Sequence, residues 1–213
     1  MNGKGRSEHA SEATTYRLSL LLRCLRVLDS EGVHTVSSWG LAERFGLNSA
    51  QIRKDLAQFG AFGVRGVGYR VADLKDHLRG VMGLDRTRSV VIVGAGNLGQ
   101  ALADSRNFNS EGFTVAALFD ADGRKIGSRS RSGVPIRGDT ELGAVVKESG
   151  AEIGVVAVPV EHAVQTAFLL ARAGVKAILN FAPVAVPPIP GVIVKNVDLT
   201  FFLESLSFRL ARG

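Results

Sequence analysis

Leu18, Leu21, Leu22, Leu25 and Leu28 recur at steps of three and four, the spacing of one helix face. They predict an amphipathic first helix that ends at Glu31-Gly32. Ser37-Ser38 then offers an N-cap for a short helix over Trp39–Phe45. Gly46-Leu47-Asn48 reads as a tight turn, and Asn48 with Gln51 has the form of a capping box opening a third helix over about 49–58. Phe62-Gly-Val-Arg-Gly-Val-Gly-Tyr69-Arg70 breaks the helical period: glycine, arginine and β-formers alternate there, predicting a two-stranded ribbon with a basic tip. A connecting helix and linker occupy 73–87. Beyond it, apolar β-rich runs at about 89–93, 113–119, 134–137, 152–158, 176–180 and 192–195 alternate with helical patterns at 97–107, 139–149 and 161–173. That alternation predicts a right-handed, mostly parallel doubly wound sheet. The last stretch, 198–210, is a helix with apolar residues on nearly every side. Such a helix needs cover on several faces, and a second subunit or its own domain can supply it.

One junction carries recognisable chemistry. The strand Ser89-Val-Val-Ile-Val93 runs into Gly94-Ala95-Gly96-Asn97-Leu98-Gly99 and then a helical pattern, which is the dinucleotide-binding fingerprint in strand–turn–helix context. Gly94 permits the sharp turn, Gly96 lets the backbone approach a pyrophosphate, and Gly99 lets the helix lie close to the sheet. The phosphates would rest on the helix N-terminus, with Ala95, Asn97 and Leu98 completing the loop. Asp120 closes the second strand, where an acidic residue meets the adenine ribose hydroxyls and repels a 2′-phosphate, so NAD(H) is expected over NADP(H). Arg124, Lys125, Arg129 and Arg131 follow closely; they fit a pyrophosphate clamp or a solvated loop. Val158-Pro159 and Asn180-Phe-Ala-Pro183 end later strands, and fit either ligand contacts or turn and core chemistry.

On the third helix Ile52, Leu56 and Phe59 share one face, while Ala50, Lys54 and Ala57 lie opposite, flanked by Gln51, Arg53 and Gln58. Small, amide and cationic side chains suit a major groove; an ordinary solvated face has the same composition. The ribbon shifts the balance, because helix, turn, helix and basic wing together form a winged helix-turn-helix, with Arg65 at the wing tip facing phosphate or a minor groove. The candidate DNA contacts are Ser38, Ser49, Gln51, Arg53, Lys54, Arg65 and Tyr69.

The 213 residues are 46% hydrophobic, enough for a core and for two small domains. The net charge of +6 favours an anionic partner. Between 44 and 70 it concentrates into Arg44, Arg53, Lys54, Arg65 and Arg70, against Asp55 alone. The single cysteine, Cys24, excludes an intrachain disulfide and a cysteine-cluster metal site, and its place in the apolar pattern makes it a core residue. Residues 1–14 read as a polar, mobile tail without a secretory segment, and no long apolar run spans a membrane, so a cytoplasmic protein is expected. A dehydrogenase needs an acid/base group near the nicotinamide. Of the four histidines, His9, His34 and His77 lie outside the second domain, and His162 alone starts a helix near the cleft, without an evident carboxylate partner. The chain therefore reads as binding a dinucleotide without transforming it, with no catalytic residue and no metal.

From about Thr15 to Leu210 the chain resembles the Rex family of redox-sensing transcriptional repressors. The resemblance rests on Ser37-Ser38 with Leu41-Ala42-Glu43, Gln51-Ile-Arg-Lys-Asp-Leu56, Phe59-Gly60, Gly66-Val-Gly-Tyr69, the stretch from Gly94 to Leu102, Phe119-Asp120, Asn180-Phe-Ala-Pro183 and Val197-Asp198-Leu199. It implies a winged-helix DNA-binding domain (1–80), a Rossmann-type NAD(H) domain (81–197) and a C-terminal domain-swapped helix (198–213) in a homodimer. It implies that NADH and NAD+ compete for one site, that the apo or NAD+ form holds a palindromic operator of respiratory or fermentative genes, and that NADH releases it. Arg17 and Asp198 match the pair that links the DNA-binding domain to the nicotinamide end across subunits, which makes Asp198 a cofactor contact as well. Relatives often carry Tyr where this chain has Ser105.

Overall fold

The computed structural model describes residues 11–61, 63–106, 108 and 111–212, so most of the expected polar tail, with His9, and Phe62 of the ribbon lie outside the described residues. The chain divides into two compact units, Met1–Arg86 and Thr87–Gly213.

In the first unit α1 spans Glu12–Ser30, capped by Ser11, whose hydroxyl accepts from the Thr14 N–H at 3.2 Å. Leu18, Leu21, Leu22, Leu25 and Leu28 are buried, as their spacing requires, and Cys24 is buried among them. Ser37 caps α2 (Ser38–Phe45) by accepting from the Gly40 N–H at 2.9 Å, and Gly46 ends it at φ +66°. Asn48 caps α3 (Ser49–Gln58) by accepting from the Gln51 N–H at 3.0 Å. Only this half of the expected capping box forms, because the Gln51 amide turns to Asp55 instead. Ile52 and Leu56 bury the inner face of α3 against the core.

The ribbon is shorter than expected. Val64 pairs with Gly68 across a tip that turns at Gly66 (φ +81°). The returning strand β2 (Tyr69–Arg70) then pairs antiparallel with β1 (Thr35–Val36), a two-residue strand too short to leave a period in the sequence. Gly68 sits at φ +97° against the Val36 backbone, where a Cβ would collide with the carbonyl. Helix α4 (Val71–Val81) begins at once, two residues before the expected start, and ends well short of 87. Val71, Leu74 and Leu78 are its buried positions, and it packs on α1.

The second unit is built on a six-stranded sheet: β3 (Arg88–Val93), β4 (Phe113–Phe119), β5 (Ile136–Arg137), β6 (Ile153–Val156), β7 (Ala177–Asn180) and β8 (Ile193–Asn196). Every pairing is parallel, and the spatial order is β5-β4-β3-β6-β7-β8. The order reverses between β3 and β6, which opens a crevice at the carboxyl ends of those strands. Helices α6 (Leu142–Ser149) and α7 (Val160–Ala173) cover one face, where Leu142, Val146, Ala163, Ala167 and Leu170 pack on Val91, Ala117, Phe119, Val156 and Ile178. The short α5 (Asn97–Ala103) covers the β3 and β4 end of the other face, through Leu102 and Ala103 on Val90, Ile92 and Leu118. The 181–192 connection forms no helix, and its Val184, Val186 and Ile189 join the first face. An apolar groove of about 300 Å³ therefore remains on the second face, lined by residues that include Phe108, Phe113, Ile153, Val155, Leu179 and Ile193. Helix α8 (Leu199–Leu210) ends the chain with no buried residue: Leu199, Phe201, Phe202, Leu203, Leu206, Phe208 and Leu210 are 58–84% exposed. No described helix is long and apolar enough to cross a membrane.

Candidate nucleotide and nucleic-acid sites

At the crevice the Gly-x-Gly-x-x-Gly segment forms the turn between β3 and α5. Gly94 lies at φ +105°, and a Cβ there would collide with the Ala157 carbonyl at the end of β6. A Cβ on Gly99 would collide with the Gly94 carbonyl, so this glycine lets α5 sit against the turn. Gly96 differs: a Cβ on it would meet nothing, because it faces open space at the N-terminus of α5. The cradle is thus closed from behind and open in front, the shape a pyrophosphate on a helix N-terminus requires.

In front of it lies a cleft of about 440 Å³ walled by Gly94, Gly96, Asp120, Lys125, Val158 and Pro159, among others. Asp120 is the hub of its charged end. Its carboxylate accepts from the Ala95 N–H at 2.9 Å, from the Asp122 N–H at 2.9 Å and from the Lys125 ammonium at 2.7 Å. Burial pushes this carboxyl up, but Lys125 and the two backbone donors outweigh it and hold it below the usual carboxylate range. Asp120 therefore stays charged and ties the glycine loop to the turn after β4. Asp139, also on the cleft wall, is pushed up by burial and by the charge of Asp120. Arg124 pairs with Asp122 on the open surface rather than turning to the cleft. His162 joins the walls from the helix start near the cleft; Asp139 and Gln165 join them without having been expected there, although a strand end or a helix start facing the crevice is where such residues fall.

Asn180 is fully buried and spends its side chain on its own loop. Its amide nitrogen donates to the carbonyls of Ala182 (3.1 Å) and Val184 (2.8 Å) and to the Asn196 side chain (2.9 Å), and its oxygen accepts from the Ala182 N–H (3.0 Å). Beside α5, Asp104 accepts from the Ser130 hydroxyl (2.7 Å) and the Ser132 N–H (2.8 Å). Bonds from Ser132 and Ser130 pull its carboxyl down to about 2. At the chain's end Asp198 caps α8 by accepting from the Thr200 N–H at 2.8 Å. Among the described residues no group of His, Cys, Asp and Glu is placed to hold a metal.

In the first unit Ala50, Arg53, Lys54, Ala57 and Gln58 of α3 are exposed, as the sequence pattern expected. Arg53 donates to the Ser38 hydroxyl at 3.0 Å, which joins the start of α2 to α3. Arg65 is exposed at the wing tip, and Ser49 and Tyr69 are half-buried. Asp55 is the residue the pattern did not single out. It is 4% exposed, on the inner side of α3, and a bidentate ion pair holds it: Arg17 Nε donates to Oδ2 at 2.5 Å and Nη2 to Oδ1 at 2.9 Å. Gln51 Nε2 donates to the same Oδ1 at 2.8 Å. The only sequence signal was its place between the buried positions Ile52 and Leu56. Within the chain, then, the carboxylate that holds Arg17 is Asp55, and Asp198 serves its own helix.

Comparison with known proteins follows the same two-part division. Residues 9–57 match the family described as "Putative DNA-binding protein N-terminus", and residues 85–184 the family described as "CoA binding domain". A redox-sensing transcriptional repressor Rex of Carboxydothermus hydrogenoformans is 48% identical over 94% of this chain and 96% of its own length. Redox-sensing transcriptional repressor Rex 1 of Thermotoga maritima is 43% identical over 97% and 98%. Among solved structures, the Rex-family repressor RSP in complex with β-NAD+ and operator DNA superposes with a TM-score of 0.90 at 37% identity, covering 96% of this chain and 94% of that one. RSP in complex with β-NADH does so with a TM-score of 0.84 at 36% identity, covering 95% of each. These relatives are regulators rather than enzymes, and the order of a DNA-binding domain followed by a Rossmann-type sheet is shared from end to end. On that identity and coverage, the chain belongs to the Rex family of redox-sensing transcriptional repressors.

Proposed function

We propose that this protein is a homodimeric repressor that reads the NADH/NAD+ balance, gripping a palindromic operator as the apo or NAD+ form and releasing it when NADH binds. The observation that carries the reading is the presence, in one chain, of the glycine cradle with its charged Asp120 and of the capped helix α3 with its outward Arg53 and Lys54. RSP complexes with β-NAD+ and operator DNA, and with β-NADH, support it by analogy.

Gly94, Ala95, Gly96, Asn97, Leu98 and Gly99 would seat the pyrophosphate, Asp120 the adenine ribose, and Val158 and Pro159 the opposite wall, with Lys125 holding the Asp120 carboxylate in place. Coenzyme A shares with NAD an adenosine diphosphate half, and a cradle of this shape holds that half. Asp120 at the ribose end stands against the extra phosphate that NADP carries beside the ribose 2′ position. On the DNA side Gln51 fits a base contact, Arg53 and Lys54 a guanine or a phosphate, and Arg65 a phosphate or the minor groove, with Ser38, Ser49 and Tyr69 completing the surface. The proposed domains are 1–80, 81–197 and a swapped helix 198–213, in a cytoplasmic protein.

The uncovered groove and the wholly exposed apolar α8 support the dimer. An all-parallel sheet is ordinarily covered on both faces. A second copy's α8 laid in the groove meets both needs through an isologous, two-fold contact. The proposed pairing of Arg17 with Asp198 of a second copy exchanges one carboxylate for another, because Asp55 holds Arg17 in the single chain.

The test is titration of operator-bound protein with each nucleotide, the operator first being selected from genomic fragments. NADH is expected to release the DNA and NAD+ to leave it bound; equal effects would exclude redox sensing. Turnover of nicotinamide with alcohols or 2-hydroxy acids would point to a dehydrogenase instead.

A further inference from the structure

The buried network on the inner side of α3 includes one half-buried residue that the sequence pattern places among the candidate DNA contacts, Gln51. Asp55 is buried, yet three donors from two helices converge on it: Arg17 Nε and Nη2 from α1, and Gln51 Nε2 from the preceding turn of α3. Arg17 is itself fixed, because its Nη2 also donates to the buried Thr14 hydroxyl at 3.1 Å. In the single chain the carboxylate is therefore held from two helices, and the Gln51 amide is anchored to it. What remains to Gln51 is its carbonyl oxygen and one amide hydrogen, the donor and acceptor by which a glutamine reads a base edge. Recognition of that kind depends on the orientation of the amide plane, so fixing it beforehand favours one base over the others. The exposed cations Arg53 and Lys54 carry no such requirement, since a phosphate contact tolerates a flexible arm.

We propose that Asp55 is a positioning residue for base recognition: its buried carboxylate, clamped by Arg17, fixes the side-chain amide of Gln51 and so sets which base edge that amide reads. The inference rests on the reading of α3 as the DNA-facing helix. It separates two quantities that a contact map merges, with Asp55 acting on sequence discrimination and the surface cations on overall affinity.

The experiment selects bound duplexes from a randomised DNA pool with the full-length protein, with Asp55→Asn, with Gln51→Ala and with both changes together. The unaltered protein is expected to show a strong preference at one base pair in each half-site. Each single change should flatten that preference about tenfold, and the pair of changes should flatten it no further. An unchanged preference in Asp55→Asn overturns the inference. So does a further loss when Asp55→Asn is added to Gln51→Ala, or a loss spread evenly over the site in step with thermal stability. Should Asp55→Asn fail to fold, hydrogen exchange at the Gln51 side-chain amide of the unaltered protein decides: slowed exchange supports the anchor, and exchange at the rate of a free glutamine removes it. If the unaltered protein selects no sequence at all, the DNA-facing reading of α3 fails first and the inference with it.

Discussion

Asp120 shows how one side chain serves structure and recognition together. Its carboxylate accepts from the glycine loop, from the turn behind β4 and from Lys125, so it is locked in place before any ribose arrives. Asp120→Ala removes the loop tie and the charge at once. It should weaken NADH binding and relax the exclusion of NADPH, measured by calorimetric titration of both nucleotides; a retained preference for NADH would assign selectivity elsewhere. Asp104 has a purely structural version of the same chemistry. Its folded carboxyl titrates at about 2, below the ordinary aspartate value of 3.8, so it favours the folded state above about pH 4 and loses that contribution as the pH falls toward 2. Asp104→Asn should flatten this acid limb while lowering stability at neutral pH, read from unfolding midpoints across pH 2–7.

At the scale of elements, legibility in the sequence followed the reach of the interactions. Helices α1, α2 and α3 were plain because their signals are local: leucines one face apart, Ser37 and Asn48 at the caps, Gly46 at the stop. The glycine turn was plain for the same reason. The strand β1 has two residues and gained its place only from β2, far along the chain through the pairs Thr35–Arg70 and Val36–Tyr69, so no periodicity could announce it. The Arg17–Asp55 pair spans 38 positions and was equally silent. By its sequence position Asn180 fits either a ligand contact or a loop residue; its hydrogen bonds are those of a loop anchor, which depends on where Val184 and Asn196 come to rest. Two predictions belong here. Arg53→Ala and Lys54→Ala in α3 should weaken operator binding, by about 1–3 kcal/mol where a base contact is lost, and a phosphate contact should lower the salt slope by about one. Binding isotherms at several salt concentrations separate the two. In α8, Phe202→Glu with Leu206→Glu puts charge on the face that seeks cover and should give monomers by analytical ultracentrifugation, with the cleft around Gly96 left intact.

For the molecule as a whole, function lies in the coupling between two units that each carry their own site. A tenfold change in operator affinity needs only about 1.4 kcal/mol of difference in how NADH binds the two arrangements. That is less than a handful of hydrogen bonds, so the switch needs small rearrangements of charged partners rather than refolding. The sheet and the last helix set a further condition. Thermal stability of the full chain should rise with protein concentration, whereas a chain ending at Val197 should melt at one temperature whatever its concentration.

The bare strip beside β7 carries a genetic consequence. On the proposed exchange of α8 between copies, a chain cut before Leu199 would keep its own strip but have no helix to lend, so in a cell that makes both forms it would accept the terminus of an intact copy and return nothing. Mixed pairs of that sort would be half-sealed, and the shortened allele would poison the intact one in proportion to its dose.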